Sequence, residues 1–158
     1  MNYETLIVDK DKRGVVSLTL NRPEKRNAMS AKMIDELTDF AASLTSDIRV
    51  TVIQGAGNLF CAGGDLEWMN AQINADRSTR LVEARKLALM LKALNELPVP
   101  LIAKVHGAAY GGGVGLACVC DYVISGSDVK FGFTETRLGL IPSTIGPYVV
   151  GKMGEAKS

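Results

Sequence analysis

Short runs of β-branched residues alternate along this chain with longer segments whose apolar residues recur every three or four positions. That alternation restricts the fold to helices layered on a sheet, an α/β architecture. The run Val15-Val16-Ser17-Leu18-Thr19-Leu20 stops at Asn21-Arg22-Pro23, as a strand entering a loop does. A strand over 6–8 can pair with it through a turn at 9–14. Behind Ser30, a candidate N-cap, Met33, Ile34, Leu37, Phe40, Ala41 and Leu44 share one helical face. A buried strand follows over 50–54, and Leu81, Ala84, Leu87, Ala88, Leu91 and Leu94 mark a second long helix broken by Pro98 and Pro100. The remaining pattern predicts strands over 101–105 and 122–124 around a short helix of small residues over 112–120. With 158 residues, no linker and no repeat, the pattern fits one domain, 1–158.

Composition removes several classes of function. Hydrophobic residues make up 47% and charged residues 22%, which excludes disorder, and 18 Lys and Arg against 17 Asp and Glu leave a net charge of +1. Such a balance offers no reason to expect nucleic acid or an anionic membrane as partner. The uncharged stretch over 107–120 is shorter than the about 20 residues a membrane span needs. The first residues carry neither a basic nor an apolar signal segment, so a cytoplasmic address is expected. Cys61, Cys118 and Cys120 are odd in number and lack CxxC spacing, so they read as small apolar residues, with no metal site expected.

Three glycine motifs require separate judgement. Gly146 to Lys152 satisfies G-x-x-x-x-G-K, but Met153 stands where Ser or Thr should bind magnesium, and Pro147, Val149 and Val150 stiffen the loop, which argues against a nucleotide triphosphate. The segment over 107–115 fails G-x-G-x-x-G at every offset, so a dinucleotide fold is poorly supported. His106, the single histidine, has no nucleophile that sequence can place beside it and reads as structural. The turns Phe60-Cys61-Ala62-Gly63-Gly64-Asp65-Leu66 and Gly107-Ala108-Ala109-Tyr110-Gly111-Gly112-Gly113 are more informative. Each offers approachable amides at a helix start; alone, either is tight packing, but two converging would form an oxyanion hole.

The chain resembles the N-terminal part of the crotonase superfamily, the enoyl-CoA hydratases and isomerases. The resemblance rests on four ordered signatures: Leu20-Asn21-Arg22-Pro23-Glu24-Lys25-Arg26-Asn27-Ala28, the FCAGGDL turn, the glycines at 111–113, and Phe131-Gly132-Phe133-Thr134-Glu135 with Leu138-Gly139-Leu140-Ile141-Pro142. It implies a right-handed spiral of ββα turns. It also implies that the amides of Gly64 and Gly112 hold the thioester carbonyl of an acyl-CoA, where fixed donors stabilise an enolate. Lys25, Ala28, Ala62, Asp65, Leu66 and Tyr110 fall on positions lining CoA and substrate; Lys25 or Arg26 could pair with a CoA phosphate or be solvated loop charges. Thr134 falls on a pocket position and Glu135 on the general acid/base carboxylate, able to exchange a proton with carbon or water near neutral pH. The competing reading of Glu135 is a loop residue paired with Lys130 or Arg137. CoA enters as part of the substrate, and no separate cofactor is expected.

The chain departs from the family pattern twice. Hydratases with two glutamates carry the other at the position of Gly115, so a two-carboxylate layout is absent. Single-carboxylate isomerases and a group resembling methylglutaconyl-CoA hydratases share that feature, and the segment from Glu135 to Val150 looks most like the latter. Gly115 is expected to make room for a branched or carboxylated acyl chain. Relatives also continue past Ser158 with helices that complete the pocket and build a trimer, so the C-terminal helical part is expected to be missing and the remaining core to self-associate as a homo-oligomer, a trimer or its multiple. The leading expectation is hydration of a 2-enoyl-CoA. Its rivals are a double-bond isomerase and a non-catalytic CoA-binding or assembly protein.

Overall fold

Alternate burial of Val16, Leu18 and Leu20 makes β2 (Val15–Leu20) a period-two strand with one face in the core. It pairs antiparallel with β1 (Leu6–Lys10), Leu6 opposite Leu20 and Lys10 opposite Val16. The computed structural model describes residues 2–158, apart from the side chains of Arg137 and Leu138. Strand β1 runs two residues beyond its apolar stretch because pairing with Val16 and Ser17 holds Lys10 and Asp9. Helix α1 (Ala31–Ala42) begins where Ser30 accepts from the Met33 amide at 3.3 Å, and it buries Met33, Ile34, Leu37 and Phe40.

Beyond β3 (Val50–Gly55) come α2 (Leu66–Asn74) and α3 (Arg77–Asn95). No residue of α2 is buried: its apolar residues Trp68, Met69 and Ile73 line a surface cavity rather than the core, and the sequence reading did not single this helix out. Helix α3 buries Met90, Leu91 and Leu94, whereas Leu81 is 70% exposed; the apolar face expected along its length is core in the second half alone. The chain continues through β4 (Leu101–Val105), β5 (Ala108–Tyr110), α4 (Gly112–Cys118), β6 (Tyr122–Ser125), β7 (Lys130–Gly132) and α5 (Gly146–Met153).

The larger sheet has the order β1-β2-β3-β4-β6 and is parallel from β2 onward. A second layer pairs β5 with β7 and is extended by single bridges between Cys61 and Ala109 and between Met29 and Gly64. Parallel neighbours need crossovers, and each crossover here makes one circuit: a long strand, a bend, a short extended segment in the second layer, then helix. The circuit recurs from β2, β3, β4 and β6, the repeated ββα unit the resemblance implies. Gly107 makes one bend at φ +61°, where a Cβ would stand 2.1 Å from the Asn58 carbonyl oxygen.

The G-x-x-x-x-G-K pattern lies on α5 rather than on a loop. Lys152 donates to the Cys120 and Asp121 carbonyls at 2.6 and 2.7 Å, tying α5 to the end of α4, so the motif is not a phosphate cradle. Cys61 and Cys120 are buried, and burial pushes both thiols up to about 12; Cys118 is half-buried. His106 bonds the Gly57 carbonyl at 3.0 Å, a structural role.

Candidate active site

The second layer brings the two glycine turns side by side. Tyr110 donates its amide to the Cys61 carbonyl at 3.0 Å, and Cys61 donates to Ala108 at 3.3 Å, so residues 61–64 run beside 108–112. Gly63 turns the chain at φ +101°, where a Cβ would stand 2.9 Å from the Tyr110 carbonyl oxygen. A Cβ on Gly112 would stand 3.7 Å from Gly63, so the two backbones are in contact. The neighbours of Gly64 spend their hydrogen bonds on structure, Met29 donating to Gly63 at 2.8 Å and Asp65 donating to Met29 at 2.9 Å. Among the described residues the amides of Gly64 and Gly112 donate to no protein acceptor. Two free donors therefore belong to glycines that line one cleft.

Glu135 opens a 3₁₀ turn, Glu135–Leu138, shortly after β7. The Gly111 amide donates to the Gly132 carbonyl at 2.9 Å, which carries the β7 exit over the second glycine turn. A Cβ on Gly111, at φ +47°, would stand 2.8 Å from Glu135 Oε1, so glycine is what lets the carboxylate lie against the turn. Glu135 Oε2 is buried and has no hydrogen-bond partner. A buried carboxylate oxygen without a partner is costly unless a ligand completes it. Among the described residues no ion pair joins Glu135 to Lys130, and the Arg137 side chain lies outside them.

A cleft of about 600 Å³ passes this point. Lys25, Ala28, Ala62, Gly64, Asp65, Leu66, Tyr110, Gly112, Thr134 and Glu135 all line it, so the structure brings every residue singled out in the sequence into one site. Their surroundings differ. Asp65 caps α2 by accepting from Glu67 and Trp68 and pairs with Arg22 at 2.8 Å, so both its oxygens serve the fold. Burial opposes ionisation of Asp65, but the Arg22 guanidinium and the two capping amides outweigh it and hold the carboxyl below its ordinary value. Lys25 is tied to Glu67 at 2.7 Å, and this hydrogen bond raises the lysine's pKa. Arg26 is thus the cation on this wall without an ion pair among the described residues.

Sequence reasoning left several supports unnamed. Buried Asn27, at φ +52°, donates to the Ala56 and Leu59 carbonyls at 2.8 and 2.9 Å and accepts from the Arg22 amide at 3.0 Å. Arg22 also bonds the Ala28 carbonyl, so the loop over 22–28 is fastened to the Gly64 turn through Asp65. A polar residue inside a charged loop gives no periodicity signal, although both stand in the quoted signature.

A second cavity of about 340 Å³ opens beyond the glycine turns and shares Gly64, Gly112, Met69 and Glu135 with the cleft. Gly115 does not make room in it. A Cβ there would stand 2.3 Å from Ile145 Cγ2, so Ile145 already occupies the space in front of Gly115, and the expected allowance for a larger acyl chain is corrected. Among the described residues no cluster of three or more His, Cys, Asp or Glu is placed to hold a metal ion.

Residues 10–158 match the enoyl-CoA hydratase/isomerase family. The chain belongs to that family. It is 37% identical over its whole length to a probable enoyl-CoA hydratase of Mycobacterium bovis, echA8, of which it covers 60%. It is 40% identical to the 2,3-dehydroadipyl-CoA hydratase of Escherichia coli, across 89% of this chain and 54% of that protein. Among solved structures, an enoyl-CoA hydratase from Shewanella pealeana superposes with a TM-score of 0.92 at 34% identity, across 97% of this chain and 58% of the other. The α/β spiral is therefore the crotonase fold, and the chain spans between about half and 60% of the length of the family members it matches. Among the described residues no helix is long and apolar enough to cross a membrane.

Proposed function

We propose that this family member binds a 2-enoyl-CoA thioester in the cleft and adds water across its double bond. One observation carries the reading: two unpartnered glycine amides and an unpartnered carboxylate oxygen lie around the junction of the cleft and the second cavity. The thioester carbonyl oxygen accepts from the Gly64 and Gly112 amides. The Glu135 carboxylate takes a proton from water as the water oxygen bonds to C3, and the π electrons of the double bond shift to form an enolate whose charge rests on the thioester oxygen. The enolate then collapses, and C2 takes the proton back from Glu135. Atoms and charge balance with one carboxylate serving both transfers. Fixed amides stabilise the enolate without reorganising, which is where such a site gains most of its rate.

Arg26 at the cleft mouth is the group on this wall best placed to meet an anionic part of CoA, since Lys25 is occupied by Glu67. The same reading includes a homo-oligomer. Tyr122 and Ile124 are exposed on edge strand β6, and Phe131 and Phe133 on the β7 segment, so the edges of both sheets carry exposed apolar side chains. Incubation with crotonyl-CoA in ¹⁸O-labelled water tests the reaction. Labelled 3-hydroxybutyryl-CoA is expected; no hydroxyacyl product, from this or a longer enoyl-CoA, contradicts hydration. A migrated double bond without label, in a substrate able to show it, moves the assignment to isomerase.

A further inference from the structure

The second cavity is walled chiefly by Trp68, Met69, Ile73, Leu87 and Ile145, a lining suited to the carbon chain of an acyl group. Two charged side chains interrupt it: Glu135 at the thioester junction and Arg80 in the first turn of α3. Arg80 has carboxylates one turn away on either side, but neither serves it. Asp76 accepts from the Thr79 amide at 2.7 Å and from Ser78 Oγ at 2.8 Å. Glu83 accepts from Trp68 Nε1 at 2.9 Å and pairs with Lys86 at 3.5 Å. Among the described residues the Arg80 guanidinium has no ion pair or hydrogen bond. Gln72, on the facing helix, has its side-chain oxygen buried without a partner, and a half-turn of the amide presents N–H donors instead.

The geometry points to a specificity element: Arg80, assisted by Gln72, recognises a carboxylate at the far end of the acyl chain, so the preferred substrate is a 2-enoyl-CoA of a dicarboxylic acid. The assignment rests on the thioester reading of the cleft. A planar guanidinium offers paired donors that match a carboxylate; Arg80 is exposed, so beside a neutral chain it keeps its water, and the buried Gln72 amide is the group such a chain leaves unserved. Charge also sets the direction of binding. A distal carboxylate is repelled by Glu135 and attracted by Arg80, which keeps the thioester at the glycine amides.

Calorimetric titration of the chain with saturated thioesters, which are not turned over, separates this inference from the reaction. Adipoyl-CoA is compared with hexanoyl-CoA, equal in carbon number, and the comparison is repeated over a series of chain lengths. At the length that spans the cavity the dicarboxylic thioester binds at least about tenfold tighter, the weight of one charge-assisted hydrogen bond. Arg80→Gln abolishes that preference and Arg80→Lys keeps part of it, both folded by circular dichroism. Equal binding of each pair by the parent, or a preference that survives in Arg80→Gln, overturns the inference alone. Absence of binding by every thioester overturns it together with the acyl-CoA reading.

Discussion

Glu135 and Gly111 show how one residue's chemistry depends on another's lack of a side chain. The carboxylate lies where a Cβ on Gly111 would be, and its second oxygen is buried with no partner. Gly112 contributes its amide, which makes its substitution informative. Any Cβ there meets the Met29 methyl carbon at 2.3 Å, a flexible end that can move, and proline is tolerated at the first position of a helix. Gly112→Ala and Gly112→Pro therefore share the added Cβ, whereas proline also replaces the N–H by a ring carbon, so both variants are checked for folding by circular dichroism. Turnover of the proline variant is expected to fall about 100-fold below that of the alanine variant, with binding of CoA changed far less; equal turnover would remove Gly112 from the oxyanion site. The residues of the cleft were legible from the sequence because they sit in contiguous signatures. The roles of Arg22 and Asn27 were not, because their value lies in hydrogen bonds to loops distant in sequence, such as Arg22 to Asp65.

At the scale of elements, legibility followed apolar periodicity. Helix α1 was readable from Ser30 and its buried stripe, and β2, β3 and β4 from their β-branched runs. The short strands β5 and β7 were not, since three residues give no period and their existence depends on pairing with each other. Helix α5 was hidden behind a glycine pattern that first had to be judged as a phosphate loop. The contact of Gly115 with Ile145 joins α4, which the small-residue pattern predicts, to the segment entering α5, which it does not, so the contact was invisible. Gly115→Ala forces a methyl group to 2.3 Å from Ile145 Cγ2. Overpacking of this kind costs about 1–3 kcal/mol. Denaturant titration should show that loss, with partial recovery in Gly115→Ala/Ile145→Ala; full stability in the single variant would mean that Ile145 does not fill the space.

For the whole molecule, two buried carboxyls contribute to the acid limit of stability. Burial opposes ionisation of Glu36, but Thr5 and Glu4, donating at 2.5 to 2.9 Å, together with Lys32 lower its pKa, as Arg22 and the capping amides do for Asp65. A folded value below the unfolded one stabilises the fold at pH above the ordinary carboxylate value of about 4, and the benefit is lost as pH falls through the lower folded values. The Tm should hold from pH 7 to about 5 and drop below about pH 4, with a shallower drop in Asp65→Asn. An identical profile in that variant would show that Asp65 carries none of the effect. The exposed apolar side chains on β6 and near β7 make a second prediction at this scale: sedimentation equilibrium at micromolar concentration should show self-association. A monomer that binds no apolar dye would contradict it.

The arrangement as a whole serves one claim, that a single carboxylate beside two free amides hydrates an enoyl thioester. The most direct measurement is the steady-state rate of Glu135→Gln against the parent chain on the same 2-enoyl-CoA, with calorimetric binding of the saturated thioester as control. Glutamine keeps size and hydrogen bonding but cannot exchange the proton. The account predicts a rate at least about 100-fold lower with thioester affinity retained; turnover equal to that of the parent would contradict it.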